Sequence, residues 1–194
     1  MLNRLILLAI IATLVISCKN NKEEKPLPED EQEQKEDYFP VLSFLMGEIK
    51  KVDELPGGIL KITEMDGRFD TVYISHEEFH DLVDGFLKEE IQPGNFKKNY
   101  SEELFYDQSI AATSYVYESK KPGQEIRRVD IIAKMGRIYH EVSSLFIEKS
   151  DPRSDTLSRL LWTPGKAFQL TRTVPGAENY TENFKVVWDQ FGGK

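Results

Sequence analysis

The spacing of apolar and polar positions divides the chain into three stretches. Residues 5–16 form a twelve-residue run that is apolar except for Thr13. A helix that crosses a bilayer needs about 20 such residues, so this run is too short to span one. Residues 18–37 hold eight acidic and four basic side chains, and Leu27 is their only large aliphatic one. A stretch of that composition buries too little apolar area to order itself, and it is expected to be a solvated tether. From Tyr38 onward apolar positions recur at regular intervals, which marks residues 38–194 as the expected single domain.

Within that domain the period changes partway. In residues 38–52, Phe39, Leu42, Leu45, Met46, Ile49 and Val52 fall on one helical face. Pro56-Gly57-Gly58 ends that helix. Residues 59–65 and 68–74 flank Asp66-Gly67, a two-residue hairpin signal, because both turn positions need positive φ. Ser75 and Glu78 fit a capping box that opens a second helix running to about Glu90, with Phe79, Leu82, Val83, Phe86 and Leu87 as its apolar face. After Pro93-Gly94-Asn95 strand patterning takes over, in residues 109–118, 125–134, 137–148, 156–162, 167–173 and 184–189. Thr163-Pro164-Gly165-Lys166 suits a type II turn between two of these strands. The expected fold class is α+β. Two helices and a β-hairpin occupy the N-terminal half, and a curved antiparallel meander of about six strands follows, with an apolar helix on its concave side.

The chain has 194 residues and a net charge of −8. Residues 1–17 carry +1 and the tether −4, so −5 remain for the domain. That balance argues against a nucleic-acid partner, which needs a basic face to displace counterions from phosphate. One cysteine rules out an internal disulfide and a cysteine-based metal cluster.

That cysteine sits at a telling place. Arg4 precedes the apolar run, and Leu14-Val15-Ile16-Ser17-Cys18 closes it. These residues resemble the lipobox of bacterial lipoproteins: an aliphatic residue three before the cysteine and a small one just before it. The resemblance implies a signal peptide, residues 1–17, cleaved after Ser17, and lipidation, including palmitate, at Cys18. Acyl chains contribute about 0.8 kcal/mol per buried methylene, so such an anchor holds its protein at the membrane. Lys19 stands where an aspartate would resemble an inner-membrane retention signal, and Lys22-Glu23-Glu24 resembles the surface-export signal of Bacteroidetes lipoproteins. The implied address is the outer membrane of the cell envelope, with display at the cell surface as one option.

The sharpest candidate for chemistry is His76-Glu77-Glu78-Phe79-His80, which matches the H-E-x-x-H pattern of zinc metalloproteases. There two histidines one helical turn apart bind the metal, and the glutamate activates a bound water. Several features weigh against it. A cap at Ser75 places His76 in the first helical turn, where the helix dipole disfavours a cation and itself explains Glu77 and Glu78. Val83 and Phe86 stand where the longer pattern wants glycine and histidine. No spacing selects a third ligand among His140, Glu102 and Glu103. Neither a G-x-S-x-G nucleophile turn nor a glycine-rich phosphate loop is present. Tyr100, Phe105, Tyr106, Tyr115, Tyr117, Trp162, Phe168, Phe184 and Trp188 concentrate on the strand half, where sheet core is the commoner fate and a concave binding pocket the other.

The leading expectation is therefore a lipid-anchored, non-enzymatic binding or assembly module that meets another envelope protein, with no cofactor. An alternative is a carrier that holds an apolar ligand between sheet and helix. In outline a meander curled around a helix resembles the half-open barrels of the lipoprotein carriers LolA and LolB and the relatives of nuclear transport factor 2. A third reading is a zinc-dependent hydrolase that uses His76, Glu77 and His80.

Overall fold

The computed structural model describes residues 38–65, 67–135, 140–176 and 180–188. The expected signal peptide, Cys18 and the tether lie outside the described residues. Helix α1 spans Val41–Asp53. Strands β1 (Ile59–Met65) and β2 (Arg68–Ile74) form the hairpin expected around Gly67, which adopts φ +73°. Helix α2 spans His76–Val83 and passes into one 3-10 turn at Asp84–Phe86 and another at Glu89–Ile91. Helix α3 covers Pro93–Asn99. Seven strands follow: β3 (Tyr100–Asp107), β4 (Ala112–Ser119), β5 (Ile126–Met135), β6 (His140–Asp151), β7 (Thr156–Thr163), β8 (Ala167–Val174) and β9 (Tyr180–Val187).

All nine strands join one antiparallel sheet in the order β2-β1-β9-β8-β7-β6-β5-β4-β3. The α+β class holds, but the meander has seven strands rather than six, and the hairpin extends it by pairing β1 with β9. The added strand is β3. Its sequence, YSEELFYD, does not alternate, because on an edge strand the middle residues of both faces lie open to solvent. There are also three α-helices among the described residues rather than two. Pro93-Gly94-Asn95 opens α3 instead of leading directly into strands, since proline fits the first helical turn, where its missing N–H is no loss. The second helix ends seven residues earlier than expected, at Val83, where the 3-10 turn at Asp84–Phe86 begins.

Register fixes which side chains share a face. Tyr117, Val129, Ile147, Leu160, Leu170 and Phe184 form one row across six strands, and Ile131, Leu145, Trp162, Phe168 and Val186 form the next. All of them are buried, together with Val41, Leu45, Ile49 and Val52 of α1, Phe79 and Val83 of α2, and Phe96 of α3. The helices thus cover one face of the sheet. Register shifts between Ile126 and Arg128 and between Ile132 and Ala133 bend the β5–β6 pair at two points.

The buried face of α1 is turned from the expected one. Met46 is more than half exposed, while Glu48 is 4% exposed. Glu48 accepts hydrogen bonds from the Gly165 amide (2.9 Å) and from Lys51 Nζ (2.5 Å), which tie α1 to the β7–β8 turn. In that turn Gly165 has φ +69° and the Lys166 amide donates to the Thr163 carbonyl, as the Thr-Pro-Gly-Lys sequence predicts.

Candidate functional site

The histidine pair can be placed directly. Ser75 caps α2 as expected: its hydroxyl accepts from the Glu78 amide, and Glu78 Oε2 accepts from the Ser75 amide at 2.8 Å. The Ser75 amide first, and then the Ser75 hydroxyl, which donates to the same Oε2 at 3.0 Å, hold the Glu78 carboxyl below its usual pKa. His76 and His80 do share a stripe, but it faces the end of α1. His76 Nε2 lies 3.4 Å from the Val52 carbonyl. His80 sits between two carboxylates, with Nδ1 3.1 Å from Asp84 and Nε2 3.0 Å from Asp53. Both ring nitrogens of His80 are engaged, so neither offers a free lone pair to a metal. The bond to Asp84, and then those to Asp53, raise its pKa above the ordinary value. Among the described residues no three His, Cys, Asp or Glu side chains are placed so as to hold a metal ion. His140 opens β6, far along the sequence from α2, and Glu102 is taken by the Tyr117 hydroxyl at 2.7 Å. The pair is better described as a clamp that joins the C-terminus of α1 to α2, and this geometry lends the hydrolase reading no support.

The aromatic residues divide cleanly. Tyr100, Tyr117, Trp162, Phe168, Phe184 and Trp188 are core. Trp162 and Phe168 stack at 5.6 Å with 13° between planes, and Phe79 meets Trp162, Phe168 and Trp188 within 6.3 Å. Side chains thus fill the space between sheet and α2 where a carrier needs a dry cavity. Burial pushes the Tyr100 and Tyr117 hydroxyls well above their ordinary values, and both are spent on structure. Tyr100 donates to the Ile126 carbonyl, while Tyr117 donates to Glu102 and accepts from the Phe39 amide.

Phe105 and Tyr106 behave differently. On β3, Leu104, Phe105 and Tyr106 are 59%, 64% and 54% exposed, and Ile110 in the following turn is also open. Register puts Leu104 and Tyr106 on the helix-bearing face, beyond the cover of the helices, and Phe105 on the opposite face. Among the described residues β3 pairs with β4 alone, so its other side presents unpaired backbone donors and acceptors. The strand carries Glu102, Glu103 and Asp107 and no Lys or Arg. Sequence reasoning passed over this edge because it looked for alternation. The usable signal was an apolar triplet flanked by acids.

Among the described residues, three open depressions bear on the reading. One of about 370 Å³ lies between Tyr38 and α3, beside Lys97 and Lys98. Another, of about 280 Å³, lies over the ionic pairs Arg128–Glu118 and Arg128–Asp130. A third, of about 310 Å³, lies on the helix-free face near β2. Comparison with protein-family models, with curated proteins and with solved structures found no match to this chain.

Proposed function

We propose that this chain is a lipid-anchored envelope lipoprotein, lipidated at Cys18, whose domain is a non-enzymatic binding module. It takes an extended segment of another envelope protein along the edge of β3. The observation that carries this reading is the exposure of Leu104, Phe105 and Tyr106 in the middle of an edge strand whose outer side meets no other strand among the described residues. Edge strands are commonly protected by lysine or proline, and this one has neither. Main-chain pairing supplies affinity in strand addition, and alternate side chains supply specificity. Glu103 and Asp107 repel an acidic strand and attract a basic one, so the partner segment is apolar with Lys or Arg at its flanks. The anchor and the outer-membrane address rest on residues 14–24.

A photo-crosslinking side chain at Phe105, in the intact envelope, is expected to join the lipoprotein to one protein through such a segment. Glu103→Lys is expected to remove the adduct. Absence of an adduct at Phe105, or an adduct indifferent to Glu103→Lys, overturns the reading. Incorporation of labelled palmitate, lost in Cys18→Ala, tests the anchor separately.

A further inference from the structure

The third depression lies at the opposite end of the sheet from β3 and has a different chemistry. It is lined by Ile62 and Glu64 of β1, Phe69 of β2, Gln169 of β8, and Asn183 and Lys185 of β9. Register places these side chains on the face that carries no helix. Phe69 stands opposite Glu64, Ile62 opposite Lys185, and Lys185 opposite Gln169. Phe69 is 70% exposed, and no core contact accounts for a phenyl ring there. Gln169 Nε2 donates to Asn183 Oδ1 at 3.0 Å, and the Thr171 hydroxyl donates to the same oxygen at 3.3 Å. Those bonds use the Gln169 nitrogen and the Asn183 oxygen. They leave the Asn183 amide N–H groups and the Gln169 carbonyl as an adjacent donor and acceptor.

We infer that this face binds a neutral oligosaccharide, with Phe69 stacking on the C–H face of one sugar ring and the Gln169–Asn183 pair bonding the hydroxyls of the next. Three features select that ligand class. A sugar hydroxyl both donates and accepts, which matches an amide pair that offers one of each. The electron-rich face of an aromatic ring attracts the polarised C–H groups on one side of a pyranose. Glu64 and Lys185 are of opposite sign, so the floor has no net charge with which to select a phosphate or a carboxylate. Lipid is disfavoured as well, because the depression is open and Glu64 and Lys185 among its lining residues are charged. Four adjacent strands from β2 to β8 span about 14 Å, room for a short oligosaccharide rather than one ring. This site is independent of the β3 edge, and either can fail without the other.

Saturation-transfer NMR on the full chain, held in a detergent without sugar headgroups, tests the inference. The probes are cellohexaose, maltohexaose, xylohexaose, mannohexaose and chitohexaose, each at about 2 mM, enough to populate a site with a millimolar Kd. At least one is expected to receive magnetisation at its ring C–H protons. Phe69→Ala is expected to abolish that transfer, Phe69→Trp to restore it, and Asn183→Ala to weaken binding about tenfold. Phe69 is exposed, so an unchanged circular dichroism spectrum keeps Phe69→Ala informative. No transfer to any of the five probes overturns the inference, as does transfer that survives Phe69→Ala. A crosslinker at Phe69 that captures a protein in the envelope, with no sugar bound, also overturns it.

Discussion

The sheet ends in two bare strands, and they are bare in different ways. On β2 the exposed rings, Phe69 and Tyr73, both lie on the helix-free face, and Val72 is the exposed apolar side chain on the other. Arg68 and Asp70 balance its charge, and Tyr73 lies directly over Gly58, where an added Cβ would come within 2.7 Å of its ring. On β3 the exposed apolar groups lie on both faces, and its charges are all negative. A strand that offers aromatic rings to one side presents a face. A strand that offers aromatic rings to both sides, with only acidic charges beside them, presents an edge. The two ends of one sheet are thereby suited to different partners, although each is merely the last strand in a row.

The largest expected effect breaks the β3 end altogether. Tyr117 links β4 to Glu102 of β3 and packs on Phe96 at 4.4 Å, so Tyr117→Ala should cost about 3–5 kcal/mol in denaturant unfolding. A loss below about 1 kcal/mol would mean that β3 is not held through this residue. Tyr117→Phe keeps the ring and removes only the hydroxyl. It should cost about 1–2 kcal/mol, because Glu102 and the Phe39 amide each lose a partner. At the other end, Gly58→Ala should cost about 1 kcal/mol or less, since the exposed Tyr73 ring can swing aside. Its readout is a shift of the Tyr73 ring resonances with little change in Tm. If Tm falls steeply instead, Tyr73 belongs to the packing of β2 and the contrast between the two ends weakens.

The smallest effect is a control that lies between the ends. His80 has a raised pKa, so its protonated form favours the folded state. The stabilisation is complete below the ordinary value of 6.5 and is lost as pH rises through the raised value. His80 and both its carboxylates are partly exposed, so solvent screening keeps the effect below about 1 kcal/mol. His80→Gln should therefore be less stable than the parent chain at pH 5 and nearly equal to it at pH 9, as followed by thermal unfolding.

Local chemistry was the legible part of this sequence. Gly67 of the hairpin, Thr163-Pro164-Gly165-Lys166 and the Ser75–Glu78 box carry their own geometry, and each stands where the residues place it, while Asp66 lies outside the described residues. What the pattern hid depended on distant partners. Glu48 is buried on α1 because the Gly165 amide, 117 residues away in sequence, meets its carboxylate. Without that bond a glutamate belongs on the wet face, and the apolar stripe was drawn through Met46 instead. β3 escaped because a strand at an edge need not alternate. The H-E-x-x-H match was legible as letters and misleading as chemistry, since Asp53 on another helix and Asp84 one turn on occupy His80. The depression near β2 draws on residues of four strands that lie up to 123 positions apart in sequence, so no local window holds it.

The way the chain joins its domain has a mechanical consequence. Tyr38 packs on Phe96 and Tyr117, and the Phe39 amide donates to the Tyr117 hydroxyl, before α1 begins. Tension arriving from the N-terminal side therefore meets this aromatic knot first and passes into β4. That strand is held by eight register pairs on one side and seven on the other. The helix behind the knot bears load only after the knot has yielded. Force applied at Tyr38 is thus resisted before the helix is peeled from its core.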